Sequence, residues 1–243
     1  MQNAPGGPAV PHRPFLPKWN QRDGLPEVSA QSVLIVGLGR FGTALGTTLM
    51  ELGKEVLAVD TDQALVDRWA EHFTHVRTAD GTSAATLEQL GVRDVDAAVV
   101  AIGTGIEASV LTTAALVDLD VTQIWAKAIT NEHGRILSRV GAHHVVYPER
   151  EMGERVAHVV AGQVIDYFEL DDGFVLVEMA VPREYVGVAV GDSDIRQRHD
   201  VTLVCIKPAG GAFTYVTPET VLGRDDLLVV AGTVDRIDRF AGR

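Results

Sequence analysis

The chain has 243 residues, 46% apolar and 22% charged, with 21 Lys+Arg against 33 Asp+Glu and a formal net charge of −12. This is the composition of an ordinary globular protein, long enough for one large domain or a large one with a small companion. An acidic chain whose lysines (Lys18, Lys54, Lys127, Lys207) are scattered is not built to bind nucleic acid. A single cysteine, Cys205, excludes an internal disulfide and a Cys-rich zinc site, and no apolar run reaches the roughly 20 residues of a membrane-spanning helix.

Residues 1–30 hold six of the ten prolines: Pro5, Pro8, Pro11, Pro14, Pro17 and Pro26. Proline fixes φ and lacks an amide donor, so neither helix nor sheet runs through such a stretch. A disordered Pro-rich tail is expected, with Phe15, Leu16 and Trp19 as a candidate docking anchor. It has no apolar run of the kind a signal peptide carries, so none is expected.

From Ser32 short apolar runs alternate with helical periodicity. The predicted strands are Val33–Val36, Val56–Val59, His75–Arg77, Ala97–Ile102, Ile124–Ala128 and His144–Tyr147. Phe41, Leu45, Leu49 and Leu52 form one apolar stripe of a first helix, which Gly53 stops. Another helix opens at Thr82 or Ser83 and ends at Gly91, and one from Glu132 to Val140 ends at Gly141. Repeated βα units with right-handed crossovers give a doubly wound, Rossmann-like parallel sheet over residues 31–150. A helix from Glu149 to about Tyr167 then supplies a linking segment, residues 151–170. Residues 171–243 read as a small α+β domain with strands Phe174–Val181, Val186–Val190, Thr202–Lys207, Phe213–Val216 and Leu227–Ala231, closed by a helix from Asp235 to Phe240. A unit this small often gains stability by pairing.

The motif with most chemistry is Gly37-Leu38-Gly39-Arg40-Phe41-Gly42, between the first strand and the first helix. In that context the glycines serve a tight turn, the approach of a pyrophosphate, and close helix–strand packing, while the helix N-terminus offers amides to phosphate. Asp60 ends the second strand, placed to accept ribose hydroxyls and to repel the 2′-phosphate of NADP; it also reads as a cap for the helix after Thr61. Asp80, before Gly81, borders the adenine position of such a sheet or simply serves a turn. Ile102, Gly103 and Thr104 end the fourth strand, where Gly103 leaves room for sugar and phosphate. Arg40 is placed either to reach an anion beyond the pyrophosphate or to stand solvated at the surface.

Three classes of nucleotide protein compete. An NAD-dependent oxidoreductase needs a catalytic group, and the tyrosines Tyr147, Tyr167, Tyr185 and Tyr215 are followed four positions on by Glu, Asp, Ala and Glu, never the Lys of a Tyr-xxx-Lys pair. His72, His75, His133, His143 and His144 have no evident carboxylate partner, and Cys205 sits in an apolar strand where a thiol is inert. A redox-sensing repressor needs a DNA-reading domain that thirty Pro-rich residues do not form. A ligand-sensing module needs neither.

The runs Val33–Gly42 and Glu55–Asp60, with Val99–Gly103, Leu111–Thr113, Ile124–Lys127 and Tyr147–Gly153, resemble the RCK-type cytosolic regulatory subunits of Ktr/Trk potassium uptake systems. The resemblance covers roughly residues 30–243 and is closer in the first half. It implies a homo-octameric ring, built from dimers, lying peripherally beneath a membrane potassium translocator on its cytoplasmic face. ATP would favour the active ring, ADP the inactive one, and NAD(H) would be able to occupy the same site. The matching positions are Gly37, Leu38, Gly39, Arg40, Phe41, Gly42, Asp60, Thr61, Asp80, Gly81, Ile102, Gly103, Thr104 and Lys127. By the same resemblance Arg40 would reach the γ-phosphate held by a neighbouring subunit, and Glu149 would help bind a divalent cation, Mg²⁺ or Ca²⁺. Without the resemblance, Glu149 reads equally as a carboxylate favoured at a helix start.

Many members of that family bind cyclic di-AMP at the second domain. The matching stretch is Asp194-Ile195-Arg196, Thr202 and Thr217-Pro218, with Arg196 toward phosphate and Ile195 and Pro218 against adenine. The same residues also read as a dimer contact without ligand. An NAD-dependent oxidoreductase with an unrecognised catalytic site is the alternative to the regulatory reading.

Overall fold

The computed structural model describes residues 30–160, 165–171 and 173–242, apart from the side chains of His158, Val159 and Asp171. The expected Pro-rich tail lies, except for Ala30, outside the described residues. The described chain divides into two compact units, one ending at Gly153 and the other beginning at Glu154.

The first unit follows the alternation read from the sequence: β1 (Ser32–Val36), α1 (Arg40–Glu51), β2 (Glu55–Asp60), α2 (Gln63–Trp69), β3 (His75–Thr78), α3 (Ala84–Gln89), β4 (Ala97–Val100), α4 (Ile106–Asp118), β5 (Ile124–Lys127), α5 (Asn131–Val140), β6 (His144–Val146) and the start of α6 (Pro148–Val160). The strands pair in parallel in the order β3-β2-β1-β4-β5-β6. Val33 to Val36 are all buried, a continuous apolar run rather than an alternation, because both faces of a parallel sheet are covered. Val33 and Ile35 pack with Leu45 and Leu49 of α1 and Val66 of α2. Leu34 and Val36 pack with Leu87 of α3, Leu116 of α4 and Leu137 of α5. Each such side chain, fully buried, contributes about 1.5–3 kcal/mol.

The helix stops are those expected. Ser83 caps α3 by accepting the Thr86 N–H, and α3 and α5 are followed by Gly91 and Gly141 with φ of 76° and 119°, a conformation that costs other residues their Cβ clearance.

The second unit holds the rest of α6, then β7 (Asp166–Asp171), β8 (Phe174–Ala180), α7 (Ile195–His199), β9 (Thr202–Lys207), β10 (Thr214–Tyr215), β11 (Leu227–Thr233) and α8 (Val234–Phe240). Its sheet is antiparallel, in the order β10-β9-β11-β8-β7. Burial alternates along β8, and Val175, Val177 and Met179 pack with Leu228 and Val230 of β11, Ile195 of α7, and Ile237 and Phe240 of α8. It is a small α+β domain, as expected.

Two expectations are corrected here, and one element is added. The helix expected to run to Tyr167 holds as α6 to Val160, but from Asp166 the expected helical linker of residues 151–170 is instead strand β7, which pairs with β8 through Asp166↔Glu178 and Phe168↔Leu176. Tyr167 and Phe168 favour a pleated surface, and helical spacing in the preceding residues masked the change. Val186–Val190 is not a strand. Gly187 has φ of 84°, and the segment lies between 3-10 turns at Arg183–Tyr185 and Val190–Asp192, with a single bridge from Ala189 to Val221. The short helix α7, framed by Asp194 and Asp200 at φ of 51° and 53°, was not foreseen. Among the described residues no helix is long and apolar enough to cross a membrane.

Candidate functional site

In a doubly wound sheet the crevice opens at the carboxyl ends of the strands, where the strand order reverses. Here the reversal lies between β1 and β4. The ends of all six strands lead into the residues singled out in the sequence: Gly37–Gly42 after β1, Asp60 and Thr61 at β2, Asp80 and Gly81 after β3, Ile102–Thr104 after β4, Lys127 at β5, and Glu149 after β6.

The glycines differ in what they serve. Gly37 has φ of 109°, and a Cβ there would sit 3.1 Å from the Ala101 carbonyl carbon. A Cβ at Gly42 would collide with the Gly37 carbonyl oxygen, so this glycine lets α1 pack against its own entry turn. Gly39 has an ordinary φ of −71° and nothing within 4 Å of its Cβ position. Neither strain nor packing within the chain demands glycine there, which leaves open approach to the first amides of α1.

Asp60 fastens this turn. Its Oδ2 accepts the Leu38 N–H at 2.6 Å and its Oδ1 accepts the Asp62 N–H at 2.9 Å. An ionised carboxylate has about four lone-pair sites, so capacity for a ribose hydroxyl remains. The alternative that Asp60 caps the second helix is corrected: Asp62 does so, accepting the Ala64 N–H at 2.8 Å. Leu38, expected among the binding residues, turns its side chain into the core at 1% exposure and gives its N–H to Asp60. Thr61 and Thr104 are exposed, and Ile102 is half-buried against the core.

Asp80 is exposed and occupied locally: its Oδ1 accepts both the N–H and the hydroxyl of Thr82, at 2.9 and 2.7 Å. These bonds, the hydroxyl's first, hold its carboxyl below the usual value. The turn role therefore holds for Asp80. Gly81 is buried, and a Cβ there would sit 2.5 Å from Val36 Cγ1.

Lys127 is the buried cation of the crevice. Its side chain is 8% exposed, its Nζ lies 2.5 Å from Glu149 Oε1 and 5.8 Å from the Phe41 ring centre, and a Cβ on Gly103 would be 3.4 Å from it. It thus joins the ends of β4, β5 and β6 to the start of α1. Glu149, in the first turn of α6, is 63% exposed on its side chain. The hydrogen bond from Lys127 leads the causes that hold its carboxyl below the usual range, with the charges of Lys127 and exposed Arg40 adding to it. Beside Glu149 lies a cleft of about 180 Å³, lined also by Ala128, Ile129, Thr130, Asn131, Tyr147 and Arg150. Arg150 donates to Asn131 Oδ1 at 2.6 Å and stacks 4.0 Å above the Tyr147 ring.

Among the described residues no group of three or more His, Cys, Asp or Glu is placed to hold a metal. Glu149 by itself fits Mg²⁺, which commonly takes one or two carboxylates and completes its shell with phosphate and water oxygens. The pairing of Lys127 with Glu149 and the cleft beside them were missed by the sequence reading, because 22 positions separate the two residues and only the sheet order brings them together.

In the second unit Arg196 and Thr202 are exposed, whereas Ile195 is 3% exposed in the core. The expected packing of Ile195 against an adenine is corrected accordingly: its side chain is committed to Val175, Leu228 and their neighbours. The Pro218 carbonyl accepts the Gly191 N–H at 2.8 Å.

Comparison with known proteins agrees with this division. A family model described as the TrkA-N domain matches residues 33–148, and one described as the TrkA-C domain matches residues 174–242. The chain is 39% identical over 210 residues to the Ktr system potassium uptake protein C of Bacillus subtilis (strain 168), covering 86% of this chain and 95% of that protein. It is 35% identical over 207 residues to the Ktr system potassium uptake protein A of the same organism, covering 85% and 93% respectively. The fold is that of the GsuK channel bound to NAD, at a TM-score of 0.63 and 22% identity over 94% of this chain. Only 42% of that channel chain is covered, so the present chain spans less than half its length.

Proposed function

The chain belongs to the family of regulatory potassium uptake proteins that join a TrkA-N to a TrkA-C domain, and from that premise we propose that it is the cytoplasmic gating subunit of a membrane potassium translocator. Its ligand is an adenine nucleotide in the crevice bounded by Gly39, Asp60, Gly103 and Lys127. The observation that carries this reading is the open space over Gly39 at the start of α1, beside a turn that Asp60 fastens from the next strand. No bond of the nucleotide is made or broken; binding shifts the population of assembly shapes.

ATP and ADP are the regulatory pair, with NAD(H) able to fill the same crevice. A γ-phosphate adds negative charge that ADP lacks. Arg40, exposed on the first residue of α1, supplies a cation to it across a boundary between subunits, and Glu149 supplies a carboxylate to Mg²⁺ or Ca²⁺. A differential affinity of about 1–3 kcal/mol between two ring shapes gives clear regulation. The ring is a homo-octamer made of dimers, held at the inner face of the membrane through its translocator. Cyclic di-AMP at the second unit is a further regulatory ligand, resting on Arg196, Thr202 and Pro218.

The test combines native mass, calorimetry with ATP and ADP, and potassium flux through a co-reconstituted translocator. An assembly near eight chains whose flux differs between the two nucleotides is the expected result. A monomer indifferent to every purine nucleotide overturns the reading.

A further inference from the structure

Lys127 and Glu149 form a pair of unequal members. Lys127 is buried to 8% exposure and a buried ammonium needs a counter-charge, whereas Glu149 is 63% exposed and is solvated without one. Glu149 also stands in the first turn of α6, whose dipole favours a carboxylate in any rotamer. The cleft of about 180 Å³ that Glu149 helps to line gives its carboxylate room away from Lys127. Lys127 Nζ, for its part, faces the backbone of Gly103 and the Phe41 ring, at the strand ends where the phosphates of the proposed nucleotide lie.

We propose that Glu149 is a built-in stand-in for nucleotide phosphate: it neutralises Lys127 while the crevice is empty, and a phosphate that takes over Lys127 releases Glu149. This inference rests on the nucleotide reading above and adds an order of events to it. Glu149 competes with phosphate for one cation, so it weakens nucleotide binding when no metal is present. Released, the carboxylate becomes available to a divalent cation beside the same phosphates, so metal binding follows nucleotide binding.

Calorimetric titration of the full chain with ADP, in buffer with a chelator, tests the competition. Glu149→Gln keeps the shape and loses the charge, and is expected to bind ADP about five- to tenfold tighter than the parent. Glu149→Asp, one methylene short of Lys127, gives a smaller gain. Lys127→Met weakens ADP binding, and in that background Glu149→Gln changes nothing. In the parent, Mn²⁺ followed by its electron paramagnetic resonance is bound to the protein only when ADP is present, beyond what the same ADP chelates without protein. Equal or weaker ADP binding by Glu149→Gln, in a parent that binds ADP, overturns the competition, and so does equal Mn²⁺ binding with and without ADP. A parent that binds neither ADP nor ATP overturns the nucleotide reading itself.

Discussion

The Leu38 N–H donates to Asp60 Oδ2 at 2.6 Å, tying the glycine turn after β1 to the end of β2. The residue singled out as a ribose acceptor therefore also holds the turn that would receive the phosphates. Asp60→Ala leaves the amides of Leu38 and Asp62 without their acceptor. A cost of about 1–3 kcal/mol in urea unfolding is expected, with nucleotide affinity falling at least about tenfold. Asp60→Asn, which keeps an acceptor toward Leu38, should recover most of the stability and less of the affinity. Equal affinity in Asp60→Ala and parent would remove Asp60 from the ligand site.

Gly39 and Gly42 separate binding from packing. A Cβ at Gly42 meets the Gly37 carbonyl oxygen, so Gly42→Ala is expected to destabilise by at least about 1–3 kcal/mol, as overpacking does. Gly39→Ala meets nothing within 4 Å and keeps an allowed φ, so its melting temperature should match the parent's. Its nucleotide affinity should nevertheless drop sharply, because the methyl group occupies the approach to the α1 amides. Undiminished binding in a normally folded Gly39→Ala would mean that no phosphate passes over this turn.

The parallel sheet was legible because each of its signals is local. Apolar runs such as Val33–Val36, the cap at Ser83, and the stops at Gly91 and Gly141 each depend on a few neighbouring residues. The second unit was less so. β7 lies where helical spacing gives way to Tyr167 and Phe168, and what makes it a strand is its pairing with β8, which sequence spacing does not display. At the site, Gly37, Gly39, Gly42 and Asp60 stand in one strand–turn–helix–strand motif and were found together. The Lys127–Glu149 pair joins two separate strand ends, and Asp80's attachment to Thr82 depends on turn geometry.

Arg40 gives the most direct test of nucleotide discrimination. It is exposed on the first residue of α1, and its charge reaches Glu149. Arg40→Ala should keep ADP binding and lose most of the preference for ATP, because only the triphosphate extends beyond the turn. Calorimetry with both nucleotides reads the ratio. An unchanged ratio would leave Arg40 a solvated surface residue.

His133 sets a pH dependence unrelated to ligand. The residue is 2% exposed in the first turn of α5; Nδ1 accepts the Ile129 N–H at 3.4 Å, and Nε2 has no partner among the described residues. Burial holds its pKa below the ordinary 6.5. Protonation would place a charge in the core and convert the Nδ1 acceptor into a donor facing the Ile129 amide. The unfolded chain therefore binds this proton more readily than the folded one, and stability rises with pH between the two values. The contribution is complete above the unfolded value and is lost as pH falls through the folded one. His133→Asn keeps a neutral acceptor at every pH. It should cost stability at pH 7 through lost packing, yet show a shallower decline from pH 7 to 5 in denaturant unfolding. Parallel declines in parent and variant would show that the acid sensitivity comes from other groups.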